Sequence, residues 1–283
     1  MKPVLNYIII IFSLFTIILS FDNTYNEWRQ YPACRLGRLQ SPIELDEMNS
    51  SYSDGFSFVY QNYKTLNPNL KLDLSKNSNY TFLTDNVQGG YINFERNGVI
   101  KQYEFIRAEL YPGLHPIDEE YPDYELHLLH KKNLAFVTNK NQYRSIQDPN
   151  MYLKIVLRYK NIANCKDDIH CISDGNLLND LIDGKMDNLN NYNIFQDKRA
   201  YFYEGSFLHM PCDENVNYYV VKDFYSYNKN NKPNFIIYGD IIKSSNRYGR
   251  PVYRNFMNYR EVLKGSYIDN FVLKIIFLMF ILL

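Results

Sequence analysis

The chain of 283 residues has five histidines, at positions 115, 127, 130, 170 and 209, and no two of them stand two positions apart. Alternate residues of a strand share a face, so this spacing excludes two imidazoles offered side by side to a metal from one strand. Net charge is missing as well, because 31 basic side chains balance 31 acidic ones. No overall field recruits nucleic acid. The chain has no glycine-rich phosphate loop and no G-x-S-x-G turn, which removes the usual signatures of nucleotide binding and serine hydrolysis. No Gly/Ser-rich or Pro-rich linker and no internal repeat divides it. Neither end carries the roughly 20 consecutive apolar residues of a membrane span.

Both ends are nevertheless apolar. Lys2 leads into the run Tyr7 to Leu19, followed by Ser20 and a polar stretch from Asp22, which reads as a secretory signal peptide over residues 1-20. Phe271 to Leu283 is apolar apart from Lys274, and the small residues Gly265 and Ser266 precede it with a short polar spacer. Residues 265-283 thus read as a glycolipid-attachment signal, with lipid attachment at Gly265 or Ser266. The alternative is a short uncleaved hydrophobic anchor, since the spacer falls below the usual ~8 to 12 residues. Residues 21-264 are then one domain, expected at the extracellular cell surface and membrane-anchored.

In that compartment the four cysteines, Cys34, Cys165, Cys171 and Cys212, form two disulfides, with three possible connectivities. A metal role for Cys165 and Cys171 beside His170 is disfavoured by the same oxidising environment. Asn49-Ser50-Ser51 and Asn79-Tyr80-Thr81 are glycosylation acceptors. From Lys243 to Lys264 the bases Lys243, Arg247, Arg250, Arg254, Arg260 and Lys264 meet one acid, Glu261, a candidate basic face near the anchor. The acids Asp118, Glu119, Glu120 and Asp123 read as a solvated turn.

Short apolar or alternating runs recur between turn signals: Phe56 to Tyr60, Tyr80 to Thr84, Tyr91 to Glu95, Gln102 to Leu110, Tyr124 to His130, Leu134 to Thr138, Tyr152 to Tyr159 and Tyr218 to Val221. They predict a mainly β domain. Helical spacing of Leu177, Leu178, Leu181 and Ile182 predicts a short helix over Asn176 to Asp183.

Tyr124 to His130, written Y-E-L-H-L-L-H, together with Gln40-Ser41-Pro42-Ile43 and Gly205-Ser206, resembles the α-class carbonic anhydrases from about Trp28 to Arg254. The resemblance implies a mainly β, single-domain fold with a large twisted central sheet, short peripheral helices and a site at the bottom of a cone. In that family zinc is held by an H-x-H pair on one strand and a third histidine on its neighbour. The third falls on His127. The pair falls on Ile106 and Ala108, which have no lone pair to give, and Glu125 falls on the carboxylate that orients the third histidine.

The family's hydroxyl-gating threonine falls on Leu208, its glutamate partner on Leu114, and the proton-shuttle histidine near Asn79. His115 and His130 fall on structural positions, which leaves His209 as the one further histidine able to join His127 near the cone. The resemblance also pairs Cys34 with Cys212 and leaves Cys165 with Cys171. With these substitutions the expectation is a related protein without hydratase activity and without a cofactor, Glu125 and His127 forming an internal polar pair. It would act as a surface module binding another surface protein or an anionic glycan, through no nucleic acid. The alternative is a zinc carbonic anhydrase with substituted ligands, catalysing reversible CO2 hydration.

Overall fold

The computed structural model describes residues 38–63, 81–82, 90–134, 151–165, 171–173, 176–183, 188–192, 194, 198–208, 212–227 and 250–257. Asn79, His170, His209, Gly265, Ser266 and Cys34 lie outside these residues, as does the segment 135–138. Among the described residues eleven strands run in chain order: β1 (Ser51–Tyr52), β2 (Phe56–Tyr63), β3 (Thr81–Phe82), β4 (Gly90–Arg96), β5 (Val99–Pro112), β6 (Tyr124–Lys132), β7 (Tyr152–Asn161), β8 (Cys171–Ile172), β9 (Ala200–Gly205), β10 (Val216–Tyr227) and β11 (Val252–Arg254). They make one mixed sheet in the order β1-β11-β9-β10-β7-β6-β5-β4-β2, with β3 on β5 and β8 on β10. The one α-helix among the described residues is α1 (Leu177–Asp183), which buries Leu177, Leu178 and Leu181 against the sheet. No helix among them is long and apolar enough to cross a membrane.

The central strands β6, β7, β9 and β10 are buried on both faces. That is why β9, the run Ala200-Tyr201-Phe202-Tyr203, shows no polar–apolar alternation by which it could be recognised in the sequence. One face carries the large core: Ala108, Leu110, Leu126, Leu128, Leu153, Ile155, Leu157 and Phe202. The other carries a smaller apolar cluster that includes Val156, Tyr201, Tyr203, Val216, Tyr218 and Val220, with Ile43, Leu45 and Ile117 from loops laid over it. Between the apolar groups of this second face lies a row of buried polar side chains.

Cys165 and Cys171 are bonded to each other, and no cysteine is free among the described residues. Cys212 is disulfide-bonded. The loop Arg38–Leu45 is pinned across the end of β9: the Ser41 amide donates to Ser206 Oγ at 3.1 Å, and the Ser206 amide donates to Ser41 Oγ at 3.1 Å. Gly205 permits this approach, because a Cβ there would overlap Ser41 Oγ.

Of the C-terminal basic run only Arg250 and Arg254 lie among the described residues, and neither belongs to a solvated face. Arg250 is buried and donates to the carbonyls of Gln40 at 2.7 Å and Glu204 at 3.2 Å. Arg254, 1% exposed, donates to Ser50 Oγ at 3.1 Å and to the Phe256 carbonyl. Both guanidinium groups hold chain segments together and are not offered to an anion. Of the two glycosylation acceptors, Asn49 is exposed in a turn closed by Asp46.

Candidate functional site

Glu125, His127 and Leu129 share a face of β6, the one opposite the large core, because Leu126 and Leu128 occupy the core side. On β5 the partner of His127 is Glu109, with Tyr111 opposite Glu125 and Arg107 opposite Leu129. This corrects the placement of Ile106 and Ala108. The pairing register shifts between Phe105 and Arg107, so Ile106 has no partner on β6, and Ala108 pairs with Leu128 inside the large core. The residues that β5 presents beside His127 are thus Arg107, Glu109 and Tyr111, and again no imidazole is among them.

Two buried polar clusters share this face. In the first, Glu125 Oε2 accepts from His115 Nδ1 at 2.7 Å and from His127 Nε2 at 2.8 Å. Its Oε1 accepts from the backbone N–H groups of Leu114 at 3.1 Å and His115 at 2.6 Å. Burial alone would raise its carboxyl, but His115 and His127 hold it well below the usual carboxylate range. His115 Nε2 lies 2.7 Å from the Tyr203 hydroxyl, so both of its ring nitrogens are engaged.

His127 is different. Burial pushes it down to about 4 despite the neighbouring Glu125 carboxylate, so the ring is neutral, and with Nε2 donating to Glu125 the Nδ1 lone pair is left as an acceptor. That Nδ1 is a buried atom with no hydrogen-bond partner. A histidine with one nitrogen on a carboxylate and the other unpaired has the form of a metal ligand waiting for its ion.

In the second cluster, Glu109 Oε1 accepts from Arg107 Nε at 2.7 Å, and Oε2 accepts from Lys154 Nζ at 2.7 Å and the Tyr111 hydroxyl at 3.0 Å. Burial would raise the Glu109 carboxyl, but Lys154 and Arg107 bring it down to about 2. Burial pulls the Lys154 ammonium down and Glu109 opposes it; the pair stays ionised because the carboxylate has three donors. The ammonium also lies 5.6 Å from the Tyr111 ring centroid, 5.4 Å from that of Phe207 and 5.9 Å from that of Tyr218. Next along β7, Arg158 stands opposite Glu125 and donates to the carbonyls of Lys222 and Glu120, both at 2.7 Å.

Leu114 and Leu208 meet in one buried apolar cluster with Tyr111. Where the resemblance put a hydroxyl gate and its carboxylate, the chain makes a hydrocarbon contact that can neither donate nor accept a proton. His130 lies on the core side of β6, with Nδ1 3.0 Å from the Leu128 carbonyl and Nε2 2.7 Å from the Tyr63 hydroxyl.

The family model of the eukaryotic-type carbonic anhydrases matches residues 23–256. The chain belongs to that family. Among solved structures, a crystal structure of dioscorin complexed with ascorbate superposes with a TM-score of 0.58 at 17% identity, covering 82% of this chain and 91% of that one. At that identity the likeness is one of fold. A sequence comparison with curated proteins finds no match.

Zinc is the metal that membership of the carbonic anhydrases implies, and the donor set can be tested against it. His115, Glu125 and His127 place ligand-type atoms within 4.8 Å of one another. Yet the links between them are 2.7 and 2.8 Å, hydrogen-bond lengths, each bridged by a proton, and the single oxygen Glu125 Oε2 serves both rings. A metal here would have to displace both protons and strip His115 of its bond to Glu125. The β5 partner of His127, Glu109, offers no free carboxylate to the other nitrogen, being held by Arg107, Tyr111 and Lys154. Catalytic zinc needs three protein ligands and an open position for water, and His115, Glu125, His127, Glu109 and Lys154 are all 0% exposed. The described residues do not fit a catalytic zinc.

Glu109, Lys154, Tyr111 and His115 were not legible as a site from the sequence, although one signal existed. Lys154 interrupts the run Leu153-Lys154-Ile155-Val156-Leu157 of a strand buried on both faces, and a charge there must have a partner.

Proposed function

We propose that this carbonic anhydrase-family domain works without the hydratase reaction, as a binding module displayed at the extracellular surface and held at the membrane by its C-terminal segment. The observation that carries this reading is the company of His127: its unpaired Nδ1 shares a buried face with the Glu109–Lys154 ion pair and Tyr111, where hydration chemistry would require two more imidazoles and a wet, open coordination position. The apolar contact of Leu114 with Leu208 supports the same reading, because no group is left there to orient a hydroxide. With the polar face closed over, binding belongs to the outer surface, and the partner is another surface protein. An anionic glycan would have to be held by bases other than Arg250 and Arg254, which are committed internally.

Stopped-flow CO2 hydration with the purified protein tests the reading. The expected rate in added zinc equals the uncatalysed background; hydration that rises with protein concentration and is abolished by a chelator overturns it.

A further inference from the structure

The large core takes Ile92 and Phe94 from β4 and Tyr103 and Phe105 from β5, so Tyr91, Asn93, Gln102 and Glu104 turn to the opposite side of the sheet. There the register builds two rungs across neighbouring strands. In the first, Tyr60 of β2 pairs with Asn93 and Asn93 with Gln102; in the second, Asn62 pairs with Tyr91, Tyr91 with Glu104, and Glu104 with Lys131 of β6. Asn133, just past β6, ties the rungs together: its side-chain amide donates to Gln102 Oε1 at 3.0 Å and to Glu104 Oε1 at 2.7 Å, and Gln102 Nε2 donates to Asn93 Oδ1 at 3.4 Å. Unlike the clusters around His127, this end of the face is open to water. Tyr60 is 51% exposed, Asn62, Glu104 and Lys131 are exposed, and Tyr91, Asn93, Gln102 and Asn133 are half-buried.

The Tyr60 and Tyr91 ring centroids lie 6.0 Å apart with the planes tilted by 43°, two neighbouring aromatic surfaces edged by amides. A pyranose sugar has the complementary chemistry. The C–H groups on the face of its ring pack on aromatic rings, and the hydroxyls at its edge exchange hydrogen bonds with amides, which donate and accept, and with carboxylates, which accept. Charge argues against a polyanion, because Lys131 stands opposite Glu104, and Glu95 adds a further acid to the same side. We propose that the Tyr60–Tyr91 face binds a neutral oligosaccharide of the β-linked glucose or N-acetylglucosamine type, whose equatorial substituents leave flat C–H faces. Its rings stack on Tyr60 and Tyr91, and its hydroxyls bond to Asn62, Asn93, Gln102 and Glu104. From β2 to β6 the face crosses three steps of about 4.8 Å, room for an oligosaccharide rather than a single sugar. The bonds along the rungs settle the amides beforehand, so little side-chain freedom is lost on binding. The proposal rests on the reading that the outer surface does the binding, and it names the surface and the ligand, a glycan such as another surface protein carries.

The test is calorimetry with cellohexaose and N-acetylchitohexaose as probes and a heparin hexasaccharide as the charged control. The expected result is saturable binding of at least one neutral hexamer and none of the heparin hexasaccharide. Affinity is expected to fall about tenfold in Tyr60→Ala and in Tyr91→Ala. It should stay near that of the parent in Tyr60→Phe, which keeps the ring face, and in Tyr121→Ala, which removes an exposed tyrosine elsewhere. Binding of neither neutral hexamer overturns the proposal, as does preference for the heparin hexasaccharide, or undiminished binding in Tyr60→Ala and Tyr91→Ala proteins that keep the parent's circular dichroism. Each of these failures leaves the absence of hydratase activity standing, whereas CO2 hydration by the protein overturns that reading whatever sugar it binds.

Discussion

Lys154 Nζ and Glu109 Oε2 lie 2.7 Å apart with both side chains fully buried, on strands separated by the one that carries His127. Removing Glu109 strands the Lys154 charge in a dry interior. Glu109→Ala is expected to cost about 3 to 5 kcal/mol by chemical denaturation, and replacing both, as Glu109→Leu with Lys154→Met, is expected to recover most of that loss. A single variant that is as stable as the parent would mean that the pair is not ionised.

Glu125 gathers four donors from three residues and is the hinge of the other cluster. Glu125→Gln keeps the shape, but its amide nitrogen must face donors that need an acceptor. A loss of about 1 to 3 kcal/mol is expected. In proton NMR, the exchange protection of the His115 and His127 ring N–H protons should fall with it.

Acid should destabilise this domain earlier than carboxylates alone would. His127 and His130 are pushed down to about 4 and about 3 by burial, whereas in the unfolded chain a histidine titrates near 6.5. Between those values the unfolded state binds more protons, so stability falls as pH drops from about 6.5 towards 4. Glu109, brought down to about 2, adds a second loss that begins below the unfolded glutamate value of about 4.3 and runs down to about 2. Urea titrations at a series of pH values should show a slope beginning near 6.5 that shrinks in His130→Asn. A flat profile down to pH 5 would contradict it.

The contrast between β6 and β5 shows what the sequence could and could not reveal. On β6 the alternation is unbroken, so the placing of Glu125 and His127 on one face follows from spacing alone, as do the mainly β class and helix α1. On β5 the irregularity at Ile106 shifts the phase, and an alignment that passes through it assigns Ala108 to the wrong face. The alternation Arg107-Ala108-Glu109-Leu110 contained the correct answer, since a charged pair cannot face the large core. The union of His115 with Glu125 depends on a loop folding back across the sheet, which no local pattern encodes.

That loop turns at Gly113, where a Cβ would overlap the Pro122 carbonyl. Gly113→Ala should therefore displace the Leu114 and His115 amides from Glu125, at a cost of about 1 to 3 kcal/mol. A Tm unchanged from the parent would show that the loop can shift freely.

Arg254→Glu reverses a charge that is 1% exposed and bonded to Ser50 and Phe256, so the variant is expected to lose the fold rather than a ligand. Circular dichroism separates the two outcomes: a native spectrum with altered heparin retention would restore the basic face that the buried guanidinium groups argue against.

The account turns on what cation occupies the face shared by Glu109, Lys154 and His127. Elemental analysis of the purified protein after dialysis against trace zinc measures it directly. The account predicts near-zero zinc per chain; one zinc per chain, retained through dialysis, would contradict it.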